Sequence, residues 1–339
     1  MSVNIERHLQ NRETLSQETL FNAVMDAGIQ HAFALIHERH EEVGSSEDPD
    51  RKLSYHIVPH TIGVINRTGE ILNAWHIVDP SLVSARDISL GRFKAAFHDT
   101  EQVSDTRDAD GQLLQKRKRH TGENEAKSVE DARQFLRDAN AYCREQYNIE
   151  PISEEEIETM GGIMITKPSF DGKLHTVVQD NFGNYSLIDR ALGFADLAGS
   201  GMQGGEVALY EAATIFDEDY LVYRQHLREQ SGNSQVLRRE VEQDIREKET
   251  GLHNDLTSWI NAQVQFTEGR RTHLEQEVLT LPETLRQPTR SLFTHFDESL
   301  DALRGFGAEM VERTNFSDWS GRLNAIINNP PKVLAQLTI

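Results

Sequence analysis

The chain has a single cysteine, Cys143, in 339 residues. One thiol rules out an intrachain disulfide framework and a cysteine-built zinc site, and it suits a reducing compartment. Long apolar runs are also missing, since none approaches the roughly 18 residues that a membrane span needs. The opening stretch, MSVNIERHLQNRETLSQETL, is charged from its sixth residue and lacks an apolar h-region, so it does not read as a signal peptide. The expectation is a cytoplasmic protein with no membrane partner. Positive charge is scarce as well. Lys and Arg number 35 against 55 Asp and Glu, a formal net charge of -20. Such a surface repels a phosphate backbone and disfavours long nucleic acid. A small phosphorylated substrate is still compatible if a metal or a local basic cluster supplies positive potential.

There is no internal repeat, and no alternating run that would build a sheet of several strands. Three- and four-residue apolar periodicity dominates instead, which makes the fold class all-α. Phe21, Val24, Met25, Ile29, Ala32, Phe33 and Ile36 form one stripe. Residues 43–52 are polar and broken by Gly and Pro, hence a loop. A second helix is expected to begin near Pro59, because proline suits a first helical turn. A third ends in Phe93, Ala95, Ala96 and Phe97. Residues 103–121 carry no periodic apolar set and read as a long loop, a length usually functional when it occurs. Ala126, Val129, Ala132, Leu136, Ala139 and Tyr142 mark the next helix, and Ile157, Met160, Ile163 and Met164 another, ended by Lys167-Pro168. Residues 187–198 and 207–227 are further helical segments, with the glycines at 199, 201, 204 and 205 forming a tight turn between them. Beyond about Ser231 the apolar positions (Val236, Leu237, Val241, Ile245, Leu256, Trp259, Ile260, Val264) thin out among charges. At roughly 100–200 residues per domain, the chain divides into residues 15–230 and a helical region at 231–339, an extension or an interaction surface for self-association. Gly251 and Gly269 are expected to interrupt the helices there, Phe293, Phe296, Leu300 and Leu303 to form a later one, and Pro330-Pro331 to stop the last.

Four places carry chemistry: Tyr55-His56-Ile57-Val58-Pro59-His60-Thr61, Phe97-His98-Asp99, Gly122-Glu123-Asn124-Glu125 leading to Ser128, and Ala195-Asp196-Leu197-Ala198. Imidazoles with carboxylates make a hard N/O donor set, suited to Mn²⁺, Fe²⁺, Mg²⁺, Co²⁺ or Zn²⁺ and not to thiolate-seeking metals. His60 falls in a first helical turn and His56 in the loop before it, so the two need not share a face. Asp196 follows Leu192 and Phe194, and a carboxylate at a buried helix face is costly unless paired or metal-bound. Lys116, Arg117, Lys118 and Arg119 are the strongest basic cluster, placed between the doublet and Glu125, where they could draw in a phosphorylated substrate. The remaining histidines, among them His31, His40, His76, His226 and His253, read as structural or exposed.

In this order, Y-H-x-x-x-H-T, an apolar run ending F-H-D, N-E-x-x-S and A-D-L-A, the chain resembles the HD superfamily of metal-dependent phosphohydrolases over residues 55–198. It is most similar to the predicted phosphohydrolases with an N-E-x-x-S motif after the doublet. The resemblance implies a helical bundle in which His60, His98, Asp99 and Asp196 hold a divalent metal ion. It gives His56 the position of the histidine that protonates a leaving group in related cyclic-nucleotide phosphodiesterases.

Two departures from the family pattern matter. Members with a second metal carry extra histidines between the doublet and the final Asp. Here only His120 and His175 lie in that interval, which points to one metal ion. Some members place a glutamate four residues after the doublet histidine. This chain has Gln102 there, and the carboxylate that orients or deprotonates water is left open among Glu101, Glu125 and Asp99. The expected reaction is metal-dependent hydrolysis of a phosphate mono- or diester, of the nucleotide class. The alternatives are an HD-fold ligand-binding or assembly module and a di-iron oxygenase.

Overall fold

Proline, serine and a buried lysine set up the helices that carry the four motifs. The computed structural model describes residues 16–42, 49–173, 176–231 and 239–337. The charged N-terminal stretch before Ser16, most of the loop at 43–48, His175, Val236 and Leu237 lie outside the described residues. The first helix, α1 (Gln17–Ile36), buries Leu20, Phe21, Val24, Met25, Ile29, Ala32 and Ile36 along one stripe and ends in a π-helical turn at His37–Glu42. Pro59 lies in the first turn of α2 (Val58–Val78). Helix α3 (Ala85–Phe97) starts at a capping box, in which Ser84 accepts the Asp87 N–H while the Asp87 carboxylate accepts the Ser84 N–H at 2.8 Å. It ends with Phe93, Ala95, Ala96 and Phe97 all fully buried.

After α3 the chain forms a hairpin, β1 (Ser104–Arg107) and β2 (Leu113–Arg119), then α4 (Glu123–Tyr147) and α5 (Glu154–Glu158), which runs on as a 3₁₀ turn over Thr159–Thr166. A second hairpin, β3 (Pro168–Asp171) and β4 (Thr176–Gln179), precedes α6 (Leu187–Asp196). A π-helical turn at Gly199–Gln203 leads to α7 (Gly205–Asp219) and α8 (Leu221–Ser231). The remainder is α9 (Arg239–Leu279), α10 (Glu283–Leu292), α11 (Phe296–Glu312), α12 (Phe316–Ile327) and α13 (Lys332–Ala335). The fold is therefore predominantly helical, with two small antiparallel hairpins among the described residues. No described helix is long and apolar enough to cross a membrane.

Several sequence expectations are corrected here. Residues 103–121 are not a loop but mostly a hairpin, pairing Ser104 with Arg119 and Asp105 with Lys118. Its strands are dominated by charge, with Thr106 and Arg117 the buried positions, so no apolar alternation announces it. The readable signal is the turn Asp108-Ala109-Asp110-Gly111, where Gly111 has φ +77° and the Asp108 carboxylate accepts the Asp110 and Gln112 N–H groups. Residues 207–227 form two helices broken at Tyr220, and Ala126 is exposed on α4. Helix α9 runs through Gly251 and Gly269 without a break. One glycine costs a helix only about 1 kcal/mol, and Leu252, Leu256 and Ile260 pack into a cluster with Phe216, Tyr223 and Trp319. Helix α12 ends before Pro330-Pro331, and the short α13 starts directly after it.

The main core joins α1–α6 with Leu274, Val278, Leu281, Leu285, Phe293 and Phe296 from beyond residue 231. Phe93, Phe97 and Phe135 form its aromatic centre, with ring centroids 4.7–6.0 Å apart. Lys94 sits inside this apolar end of α3, fully buried. Its Nζ donates to Asp189 Oδ1 and to the Thr159 carbonyl, each at 2.6 Å. Gly162 closes over the pair, since a Cβ there would stand 2.0 Å from Asp189 Oδ1. Asp189 is in the first turn of α6 and Asp196 is its last residue. The ion pair thus fixes the helix that ends before His98 against the helix that ends in Asp196. Arg67, also fully buried, ties α2 to the same place, donating from Nε to the Ala195 carbonyl at 2.7 Å and from Nη1 to Gln203 Oε1 at 2.6 Å.

Removing one partner of a buried pair leaves an uncompensated charge and typically costs about 3–5 kcal/mol. Lys94→Met should therefore lower the stability by that amount in chemical denaturation. The double variant Lys94→Met/Asp189→Leu should recover a substantial part of the loss. A single variant within 1 kcal/mol of the parent contradicts this assignment.

Candidate metal centre

The four motif positions converge although they come from three separate helices. His60 is in the first turn of α2, His98 caps the C-terminus of α3, Asp99 follows it, and Asp196 ends α6. His60, His98 and Asp99 are all buried, with 3%, 1% and 7% of their surface exposed. The Nε2 atoms of His60 and His98 face each other at 3.3 Å. Asp99 Oδ2 is 3.0 Å from His98 Nε2 and 3.3 Å from His60 Nε2. Asp196 stands slightly further off, with Oδ1 at 3.5 Å from His98 Nε2 and 3.7 Å from His60 Nε2.

Two facing imidazole nitrogens can share at most one hydrogen, so this cluster does not satisfy itself. Around an ion with bonds of about 2.0–2.2 Å, neighbouring donor atoms stand roughly 3.0–3.5 Å apart, the range that His60, His98 and Asp99 occupy, with Asp196 just beyond it at 3.7 Å from His60. The orientation is also prepared. His98 Nδ1–H donates to the Ala95 carbonyl at 2.7 Å, which turns the Nε2 lone pair inward. Gln102 Nε2 donates to Asp99 Oδ1 at 2.8 Å, which leaves Oδ2 for the imidazoles. The Tyr55 ring lies over His60, with centroids 4.3 Å apart. The residues present therefore fit a divalent cation with N/O ligands.

The electrostatics state the same demand. Burial would lower the His98 imidazole, but Asp99 and Asp196 outweigh it and raise it to about 10. His60, where burial wins over Asp99, falls to about 4. Burial would raise Asp99, but His98 and His56 hold its carboxyl well below the usual range. In the metal-free protein, the cluster thus keeps one proton on His98 as its cation.

His56 stands beside this cluster, with Nε2 3.9 Å from Asp99 Oδ2. Its Nδ1–H donates to Glu218 Oε1 at 2.6 Å. Arg119 Nη1 lies 2.7 Å from Nε2. The same Nη1 is 3.2 Å from Nδ1, so the guanidinium reaches both ring nitrogens and does not lie along the Nε2 lone pair. Glu218 is 1% exposed, and its other oxygen accepts the N–H groups of Ser54, Tyr55 and His56 at 3.0, 2.7 and 3.1 Å. Burial would raise Glu218, but His56 and Arg119 hold it well below the ordinary carboxylate range. Sequence reasoning missed this residue. Its signal is faint, an acid at the end of a helix that is apolar-patterned as far as Phe216.

The other expected site residues separate. Glu125 lines the cavity beside Asp99 and accepts the Gly122 N–H at the start of α4. Burial outweighs the backbone N–H groups that favour its anion, and with Asp99 and Asp196 nearby its carboxyl is raised. Its neighbours brace the loop after the doublet: Asn124 exchanges two hydrogen bonds with the Val103 backbone, each at 3.0 Å, and Ser128 Oγ accepts the Glu101 N–H. Glu101 turns to Arg39, 3.5 Å away, and is not among the residues that line the cavity. Of the basic run, Arg119 lines the cavity. Arg117 is buried against the carbonyls of Asp50 and Glu218, Lys116 lies over the Tyr220 ring, and Lys118 is exposed.

The cavity over the cluster has a volume of about 320 Å³. From α9 and α11 its lining takes Trp259, Gln263, Phe266, Thr267 and Leu303. Nothing in the sequence places those residues there, because the contact spans more than 60 positions. Among the described residues, His60, His98 and Asp99 are the one group of three or more ligand-capable side chains close enough to share an ion. His120 pairs with Asp105 at 3.0 Å instead.

No family model, curated protein or solved structure matches the chain.

An ion and a proton compete for His98. With that imidazole raised to about 10, binding near pH 7 should release close to one proton per ion, and apparent affinity should rise about tenfold per pH unit up to that value. His60 is already neutral there and adds nothing. Calorimetric titration in buffers of different ionisation enthalpy measures the release. A pH-independent affinity between pH 7 and 9 would sink the assignment of His98 as a ligand.

Proposed function

We propose that the chain is a metal-dependent phosphohydrolase, cleaving a phosphate mono- or diester with one divalent ion at His60, His98, Asp99 and Asp196. The observation that carries this reading is the convergence of these four side chains, three of them buried, beside a cavity lined by Asp99 and Asp196 together with His56, Arg119 and Glu125. The motif order that resembles the HD superfamily supports it independently of the geometry, and an HD-type helical bundle is the fold it implies. A divalent ion in such a site lowers the pKa of its water and polarises a phosphoryl oxygen.

The chain's own groups divide the remaining tasks. Glu125 lines the cavity on the same side as Asp99, where a carboxylate can orient an attacking water. Arg119 presents a guanidinium to the charge of the phosphoryl oxygens. His56 is placed to hand a proton to the leaving oxygen from Nε2. Glu218 is a positioning residue: it holds Nδ1–H and stabilises the imidazolium from behind. A non-catalytic ligand-binding module is favoured by the engagement of Arg119 with His56, Glu218 and Asp219, which ties up both the guanidinium and the imidazole.

Metal analysis of the purified chain should find about one divalent ion per chain, and Asp99→Ala should lose it. A screen of phosphate esters and nucleotides with Mn²⁺, Fe²⁺, Mg²⁺ and Co²⁺ should find hydrolysis that Asp99→Ala abolishes. Bound metal with silence across that screen favours the binding module, and two irons per chain favour an oxygenase.

General acid catalysis is worth about 10²–10⁴ in rate. His56→Ala should therefore lower kcat by that factor for esters with an alkoxide leaving group, with metal content retained. Esters with a nitrophenolate leaving group should lose far less. Equal losses on both would remove His56 from the acid role.

A further inference from the structure

The cavity is not the positively charged funnel that the basic run of β2 suggests. Five carboxylates line it, Asp99, Glu125, Asp196, Glu211 and Asp219, against a single guanidinium, Arg119. Arg119 is itself engaged, donating to Glu218 Oε1 at 2.9 Å and Asp219 Oδ1 at 3.0 Å. Glu211 has Arg67 within 3.4 Å, and Asp99 and Asp196 belong to the metal cluster. One divalent ion balances the last two, so little positive charge is left to meet a substrate. Each further phosphate group would enter a volume where carboxylates outnumber cations, at low effective dielectric. The volume, about 320 Å³, also lies at the small end of the roughly 300–1,000 Å³ usual for ligand sites.

The part of the lining that comes from α9 is of the opposite character. Trp259, Gln263, Phe266 and Thr267 follow one another at helical spacing, so they present one face of α9 to the cavity. That face is held from two sides. Trp259 Nε1 donates to the Ala212 carbonyl of α7 at 2.9 Å, and Thr176 Oγ1 of β4 donates to the Phe266 carbonyl at 3.2 Å. Gln179 and Ser200 also line the cavity, and Gln179 Oε1 and Ser200 Oγ, both buried, have no hydrogen-bond partner.

Resting on the phosphohydrolase reading, we propose that the site is specific for an ester of a single phosphate whose alcohol portion is a compact, planar, uncharged group, seated against Trp259 and Phe266 of α9, and that it rejects polyphosphates. Helix α9 is then the specificity-determining wall, and the region beyond residue 231 is part of the site.

Trp259 makes this testable without turnover. Trp75 and Trp319 are both fully buried, and neither lines the cavity. Fluorescence titration of the metal-loaded full chain with phenylphosphonate, inorganic phosphate and pyrophosphate reads the site directly. Phenylphosphonate should bind about tenfold tighter than inorganic phosphate, the factor that burying ~60 Å² of ring supplies at ~25 cal/mol per Å². Pyrophosphate should bind no tighter than phosphate. Phe266→Ala should bring phenylphosphonate down towards phosphate and leave phosphate and metal content unchanged. Gln263→Glu, at a half-buried position, should do the same if Phe266→Ala fails to fold. Trp259→Phe should remove the signal while calorimetry still registers binding. Tighter pyrophosphate, equal binding of phosphate and phenylphosphonate, or α9 variants that weaken both alike overturn the specificity proposal while the metal site stands. Absence of stoichiometric metal in the parent chain overturns the phosphohydrolase reading, and this proposal with it.

Discussion

Two carboxylates and two imidazoles largely withdrawn from water need a cation between them, and much of the structure serves that need. Asp99 and Asp196 approach the same pair of ring nitrogens from different helices. Without positive charge in their midst, their repulsion at low dielectric would push the helix ends apart. In the metal-free chain the charge is a proton, kept on His98 because the two carboxylates outweigh the penalty of burying it. A divalent ion would meet the same demand more fully, through lone pairs that the Ala95 carbonyl and Gln102 already aim.

Holding four side chains in that arrangement is the work of groups with no part in the chemistry. Lys94 and Asp189 lock α3 to α6 close to the cluster, and Arg67 clamps α2 to the carbonyl just before Asp196. Both cations are fully buried and bonded to a neighbouring helix, so they set relative helix positions more strictly than apolar packing could alone. The same logic extends outward to Glu218. It gathers three backbone N–H groups, His56 and Arg119 onto one carboxylate, and so ties the loop before α2 to the hairpin β1–β2 and to α7. Each of these links joins segments far apart in the chain, which is why the site is a single buried body and not a set of flexible loops.

The C-terminal helices change what the site is. Leu274, Val278 and Leu285 share the main core, while Trp259 and Phe266 line the same cavity as Asp99 and Asp196. Carboxylates and aromatic rings therefore share one small volume, and the proposed specificity rests on that contrast.

The helical class, the main helices of the first 200 residues and the four motif segments were legible from the chain itself, because apolar periodicity and local motifs are short-range properties. His60 in a first turn and His98-Asp99 at the end of an apolar run are of this kind. The hairpin at 104–119 was not legible, since its strands bear charge on most positions and only the Asp-Gly turn speaks for it. The basic run could be read as charge but not as geometry: alternation along β2 sends Arg117 inward, Lys118 to solvent and Arg119 to the cavity. Glu218, Arg67 and the α9 wall were beyond reach. Their roles are defined by partners more than 40 residues away, and nothing local separates a buried glutamate from the exposed ones around it. Residue types and local order determine which donors the chain offers; only tertiary packing decides which of them meet, because long-range contact and burial select the charges that must be paired.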